Sequence, residues 1–343
     1  MSNQRVMMNN SYLTELIELY DHQLRMCKLK KDELCLIITD NAYNPSYSDA
    51  CFTAASLLDA EVMKLTLSVK DKLPEKGLDS ILIDADLIVY STTHKLHYSR
   101  EMRLALDNGA RSLMVVQPFH TMRRLCADPD VIRRTKAGAK LLGNAEKIRI
   151  TSDAGTDLVM ERGNRPALAH YGVADTSNHL DFWGVGLVET APIEGTLEGT
   201  MVLDTGDQYF YMGRYVDKPV RIIFKEGRVS EITGGLDAYL IRKHIESYNE
   251  ENAWNAGHIS WGTDKRALWG AQTLQFPEIG FSGADTESYY GNVQVEIGSN
   301  NDNNFRGKNV SKAHLGHCML NCNLYLDEIK VIDHGVFTHK ELC

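Results

Sequence analysis

The chain has 343 residues, 43% of them apolar and 24% charged, the balance of a globular protein with material for a sizeable core. At that length one core rarely serves the whole chain, so two domains are expected. Its 37 basic and 46 acidic residues leave a formal charge of −9, which argues against binding nucleic acid or an anionic membrane surface. No apolar run approaches the roughly 20 residues of a membrane helix. Residues 1–10 are too polar for a secretory signal, so a cytoplasmic home is expected. The seven cysteines are odd in number and scattered, which fits reduced thiols.

From Ser11 onward, Leu13, Leu16, Ile17, Tyr20, Leu24 and Cys27 recur at helical spacing, and the lysines at 28, 30 and 31 suit that helix's C-terminal end. The apolar run at 34–40 predicts a strand buried on both faces. Residues 48–60 are Ala-rich and helical, while 61–68, 81–91, 112–117 and 147–151 repeat the strand pattern. Helical stretches at 98–107 and 121–142 lie between them. Strands alternating with helices predict a doubly wound parallel sheet, a Rossmann-like α/β domain over residues 1–150. Ligands of such sheets gather at the carboxyl ends of the strands, which puts Asp40, Asn41, His94, His97 and His120 near one rim. No Gly-rich phosphate loop follows any of these strands, so nucleotide binding is not supported.

Beyond Thr151 the texture changes to Gly-rich turns and short strands at 199–204, 209–211, 220–224 and 228–232, with Lys225, Glu226 and Gly227 forming a hairpin connection. One helix at 236–248 and further strands at 293–297 and 323–332 complete an α+β domain over residues 151–343, dominated by antiparallel sheet. The polar stretch 299–304 reads as a mobile loop placed to act as a lid. Around it lie His258, in the run Gly-His-Ile-Ser-Trp-Gly, and His314 and His317, in Ala-His-Leu-Gly-His-Cys. Neutral imidazole is the commonest protein ligand for iron, zinc, copper and nickel, so these segments are a candidate metal site. On a regular strand 314 and 316 share a face and 317 points away. His317 would then ligate only through a bulge, which Gly316 would ease.

The run at 257–262, followed by Arg266-Ala267-Leu268-Trp269, resembles the first metal-histidine segment of the 2,5-dihydroxypyridine 5,6-dioxygenases, mononuclear non-haem iron enzymes related in fold to the thermophilic-type leucyl aminopeptidases. Ala313-His314-Leu315, with the run at 320–327, resembles their second. Blocks at 85–89, 154–157, 171–175 and 198–207 keep the family's order along the chain. In that family the second segment reads His-x-Asp, and its carboxylate completes a two-histidine, one-carboxylate triad. Here the Asp position is Gly316.

Three arrangements stay open: a three-histidine site with His170 or His317 as the third ligand, a carboxylate from Glu189, or only two protein ligands. The resemblance implies iron as Fe2+, with other divalent transition metals as alternatives, and a homo-oligomer acting on a small heteroaromatic substrate and dioxygen. It also places His97 near the family's basic histidine, with His94 competing for the role of general base. Trp183 and Trp261 are candidates to wall a pocket for a planar ring, and Arg266 to pair with a substrate phenolate or carboxylate. A metal-dependent hydrolase of the amidase or aminopeptidase kind and a non-catalytic ligand-binding homologue are the alternative readings.

Overall fold

The computed structural model describes residues 2–69, 77–93, 96–270, 283–301 and 304–343. His94 lies outside the described residues. The chain divides into two units, the first made of Met1–Asp128 with Tyr171–Val185, the second of Pro129–His170 with Gly186–Cys343.

The apolar run Leu34–Asp40 forms the strand expected of it, and it lies inside a five-stranded sheet. The order is Glu61–Leu67, Leu34–Asp40, Leu87–Ser91, Arg111–Met114 and Leu180–Phe182, with every neighbouring pair parallel. Side chains alternate across a strand, so this one feeds two layers. Leu36 and Ile38 pack with Ile88 and Tyr90 against Leu82 of the helix Leu78–Ile83 and Met102 of the helix Arg100–Asp107. Cys35 turns the other way, beside Cys27, which follows the helix Ser2–Met26, and Cys51 of the helix Pro45–Leu57. Burial pushes the Cys27 and Cys35 thiols up to about 12, and all seven cysteines are free. Two of the helices start on side-chain caps, Asn44 accepting from the Ser46 amide ahead of Pro45 and Ser99 accepting from the Met102 amide.

Three sequence expectations change here. The run expected as a strand at 81–91 divides into the helix Leu78–Ile83 and the strand Leu87–Ser91. The helix expected at 121–142 is two, Phe119–Arg124 and Pro129–Asn144, because Pro129 cannot continue a helix but starts one well. The units do not part at residue 150: Leu180–Phe182 returns to close the parallel sheet beside Arg111–Met114, while Pro129–Asn144 belongs to the second unit.

The second unit is two antiparallel sheets. Eight strands run in the order Arg228–Thr233, Val220–Lys225, Glu198–Leu203, Asp157–Glu161, Lys147–Thr151, Asn323–Leu326, Ile329–Asp333 and Val336–Phe337. Lys147–Thr151, expected in the parallel sheet, pairs instead with Asp157–Glu161 and Asn323–Leu326. Its alternation explains why: Ile148 and Ile150 are buried while Lys147 and Arg149 are exposed, the signature of a sheet with one wet face. The hairpin expected at 225–227 is present, with Glu226 at φ 49° and Gly227 at φ 70°. A Cβ on Gly227 would lie 2.6 Å from the Gly195 amide nitrogen, so only glycine fits there.

Seven strands form the other sheet, in the order Arg214–Tyr215, Gln208–Tyr209, His314–Met319, Val293–Gly298, Ala256–Gly262, Leu187–Thr190 and Leu168–His170. One continuous core joins the two sheets, with Ile150, Met160, Leu203 and Ile222 from the first and Ile259, Trp261, Val295 and Leu315 from the second. No helix among the described residues is long and apolar enough to cross a membrane.

Within the first unit Arg111 is buried, donating from Nη1 to the Cys27 carbonyl at 2.5 Å and pairing through Nη2 with Glu33 at 2.5 Å. It ties the end of the first helix to the entry of the strand Leu34–Asp40. Arg111→Ala strands a mostly buried carboxylate and is expected to cost on the order of 3 kcal/mol in urea unfolding. Arg149→Ala, which breaks an exposed pair with Asp157, is expected to change stability by about 0.5 kcal/mol or less.

Candidate metal centre

Two neighbouring strands of the seven-stranded sheet fix most of the site. Val293–Gly298 pairs antiparallel with His314–Met319 so that Gly298 stands opposite His314, Ile297 opposite Leu315 and Glu296 opposite Gly316. Residues opposite one another point to the same face, so 296, 298, 314 and 316 share one side, while Val295, Ile297, Leu315 and His317 face the other. On the next strand the register shifts between Ala256 and Ile259, a bulge that contains Gly257 and His258. Bulges re-aim a side chain, and His258 ends with Nε2 3.4 Å from His314 Nε2.

Glu296 joins this pair: one ligand atom from each of His258, His314 and Glu296 lies within 4.8 Å of the other two. Ligand atoms held about 2.0–2.2 Å from a common ion are separated by roughly 3–4 Å, so the spacing of the two nitrogens suits a shared cation. Burial, and then the neighbouring His314 and His170, push the His258 imidazole well below its ordinary range. It is therefore neutral, the form that offers a lone pair to a metal.

The carboxylates behave in the opposite sense. Burial, then Glu287 and Glu189, push the Glu296 carboxyl well above its ordinary value, and burial followed by Glu189 lifts Glu287 to about 7. Glu296 Oε2 has no hydrogen-bond partner, and neither has His258 Nδ1. A buried group of acids with an unsatisfied carboxylate oxygen is costly as it stands, and a positive ion would satisfy it. Two imidazoles and a carboxylate fit a divalent transition metal of the iron or zinc kind.

The two outer strands add His170 and Glu189 on the same face. Glu189 Oε1 lies 2.9 Å from His170 Nε2, and its Oε2 lies 3.6 Å from His258 Nδ1. Glu189 thus stands behind His258, on the side away from His314, where a carboxylate orients a metal-binding ring. The buried ring of Phe305 stacks on His258 at a centroid distance of 4.7 Å and 20°.

The polar stretch expected to be a mobile loop is pinned through its described residues. The Asn309 amide nitrogen donates to Asn300 Oδ1 at 2.8 Å, Asn309 Nδ2 to the Gly298 carbonyl at 2.5 Å, and Asn255 Nδ2 to Asn309 Oδ1 at 2.8 Å.

Among the residues singled out from sequence, His258 and His314 come together, with His170 and Glu189 beside them. His317 does not join them. The strand His314–Met319 keeps its register through Gly316, so His317 faces the core, with Nδ1 3.2 Å from the Val295 carbonyl and its ring 5.0 Å from Tyr209. Burial pushes this imidazole down to about 4.

Trp261 is wholly buried between the two sheets. Trp183 is wholly buried in the first unit, donating to the Met122 carbonyl at 3.1 Å and meeting Tyr20 edge-on. Both are core residues, and the aromatic ring beside the histidines is Phe305. Arg266 forms a two-pronged pair with Asp264, at 3.0 and 2.7 Å. His97, in the first unit, lies with Nδ1 3.2 Å from the Tyr90 hydroxyl and meets Phe182 edge-on.

Sequence reading missed Glu296 and Phe305. The signal for Glu296 was a lone carboxylate in the buried strand Val-Gln-Val-Glu-Ile-Gly. Nothing local said which strand it would face.

Loading with iron(II) or zinc followed by desalting tests this arrangement. His258→Ala and His314→Ala are each expected to lose the retained metal, while His317→Leu, on the core face, keeps wild-type stoichiometry. Retention by both alanine variants would contradict the assignment.

The family model for 2,5-dihydroxypyridine 5,6-dioxygenase matches residues 15–339. A 2,5-dihydroxypyridine 5,6-dioxygenase of Pseudomonas putida is 28% identical over 335 residues, spanning 93% of this chain and 94% of the relative. The solved structure of 2,5-dihydroxypyridine dioxygenase from Pseudomonas putida KT2440 matches with a TM-score of 0.90 at 27% identity, covering 96% of this chain and 99% of that one. AmpT from Thermus thermophilus matches in fold, with a TM-score of 0.64 at 14% identity over 94% of this chain and 99% of its own. By the extent of these matches, the chain belongs to the 2,5-dihydroxypyridine 5,6-dioxygenase family.

Proposed function

We propose that the protein is an iron(II)-dependent dioxygenase that opens the ring of a dihydroxylated N-heteroaromatic of the dihydroxypyridine kind. The observation that carries this reading is the approach of His258 Nε2 and His314 Nε2 to 3.4 Å beside the buried Glu296, in a chain whose relatives include such an oxygenase. Bound iron(II) would supply the open coordination positions and the one-electron chemistry that let triplet dioxygen combine with a closed-shell ring. Ring opening that incorporates both oxygen atoms draws all its electrons from the substrate, so no separate reductant is needed.

The chain's own residues do the rest. His258 and His314 hold the metal, and Glu189 with His170 fixes the His258 ring from behind. Phe305, stacked on His258, keeps water from that side and offers an apolar edge to a planar substrate. The family resemblance assigns the role of general base to His97, in the first unit, whose Nδ1 lies 3.2 Å from the Tyr90 hydroxyl.

Oxygen uptake with 2,5-dihydroxypyridine, followed by mass spectrometry under isotopically heavy dioxygen, tests the reading. A ring-opened product carrying both heavy atoms is expected. His97→Ala is expected to lower kcat by about 10² to 10⁴ while leaving the metal content unchanged. Amide hydrolysis by the anaerobic, metal-loaded protein, with no oxygen uptake on any dihydroxypyridine, would overturn the proposal in favour of a hydrolase.

A further inference from the structure

We infer that Glu296 replaces the aspartate that the family carries two residues after its second metal histidine, so that the metal's carboxylate arrives from the neighbouring strand. The inference rests on the metal-dependent reading above. Position 316, where that aspartate would stand, is glycine, and the antiparallel register sets Glu296 directly across from it. Facing residues in such a pair have Cα atoms only about 4.5–5.5 Å apart and point to the same side. Glutamate, one methylene longer than aspartate, therefore reaches the same space from the adjacent backbone.

The glycine and the glutamate are two halves of one exchange. A Cβ built on Gly316 would lie 2.5 Å from Glu296 Oε1 and 3.2 Å from its Cδ. The Glu296 carboxylate thus fills the volume through which a side chain at 316 would pass, and the two carboxylates exclude each other. Glu296 Oε2 finds no hydrogen-bond partner in a fully buried setting, and a Glu296 oxygen lies within 4.8 Å of the ligand nitrogens of His258 and His314. Glu189, the other carboxylate on this face, is held by His170 at 2.9 Å and stands behind the His258 ring. The site keeps a two-histidine, one-carboxylate donor set, with the acid moved from the His314 strand to the strand beside it.

Anaerobic titration calorimetry with iron(II), and the visible spectrum of the cobalt(II)-loaded protein, test this on the full chain. Loss of a supporting hydrogen-bond partner already weakens a metal site about 10- to 100-fold, so Glu296→Gln, which loses a ligand, is expected to weaken binding by at least about 100-fold. It should also shift the cobalt spectrum while leaving circular dichroism unchanged. The double variant Glu296→Ala with Gly316→Asp restores a carboxylate at the family's position. It is expected to recover affinity to within about tenfold of wild type, and Glu296→Ala alone is not.

Wild-type affinity and an unchanged cobalt spectrum in Glu296→Gln would overturn the inference, and so would a folded double variant no better than Glu296→Ala. A wild-type chain that binds neither iron(II) nor cobalt(II) would instead sink the metal-dependent reading itself.

Discussion

The register between the strands Val293–Gly298 and His314–Met319 is the constraint on which the second unit depends. Because side chains alternate, one register settles two questions together. It sends Val295, Ile297 and Leu315 into the core between the sheets and delivers Glu296 and His314 to the opposite face. A slip by one residue would bury two ionisable groups in the core and expose three apolar ones. The hydrophobic core therefore fixes where Glu296 and His314 stand. The bulge at Gly257 and His258 brings a third group from the next strand, so three adjacent strands contribute one side chain each to the cluster that could hold a metal ion.

The electrostatics of this face make sense around a positive ion. Burial and the mutual effect of Glu189, Glu287 and Glu296 raise Glu287 and Glu296, while burial holds the His258 imidazole well below its ordinary range. A fold that gathers acids in a dry pocket accepts a cost in stability without the ion and recovers it on binding. Glu189 shows how the face divides its work, with one oxygen on His170 and the other toward the rear nitrogen of His258. Phe305 closes the remaining side of that ring, and the asparagines at 300 and 309 fix the segment that carries it.

Much of this was legible in the residues. The candidate metal histidines at 258 and 314 stood out in their runs, the first half read as a parallel sheet, and strand alternation predicted that on a regular strand His317, itself a candidate ligand, would face away. The strand at 147–151 was assigned to the wrong sheet although its own pattern, Ile148 and Ile150 between Lys147 and Arg149, marks one-sided burial. Trp183 and Trp261 looked like pocket walls because aromatic rings suit planar ligands. Their size made them core residues instead, each wholly buried.

Glu296 was invisible for a different reason. Its role comes from being paired with Gly316 across a connection of fifteen residues, and cross-strand register is not written in either segment alone. The asparagine-rich stretch reads as mobile from composition, while the side chain of its described Asn300 accepts from the Asn309 amide.

Anomalous diffraction at the iron edge, from crystals loaded anaerobically with iron(II), tests the central claim most directly. The account predicts one peak about 2.0–2.3 Å from His258 Nε2, His314 Nε2 and a Glu296 oxygen. A peak ligated by both histidines with the Glu296 carboxylate turned away, or no peak between the two rings, would contradict it.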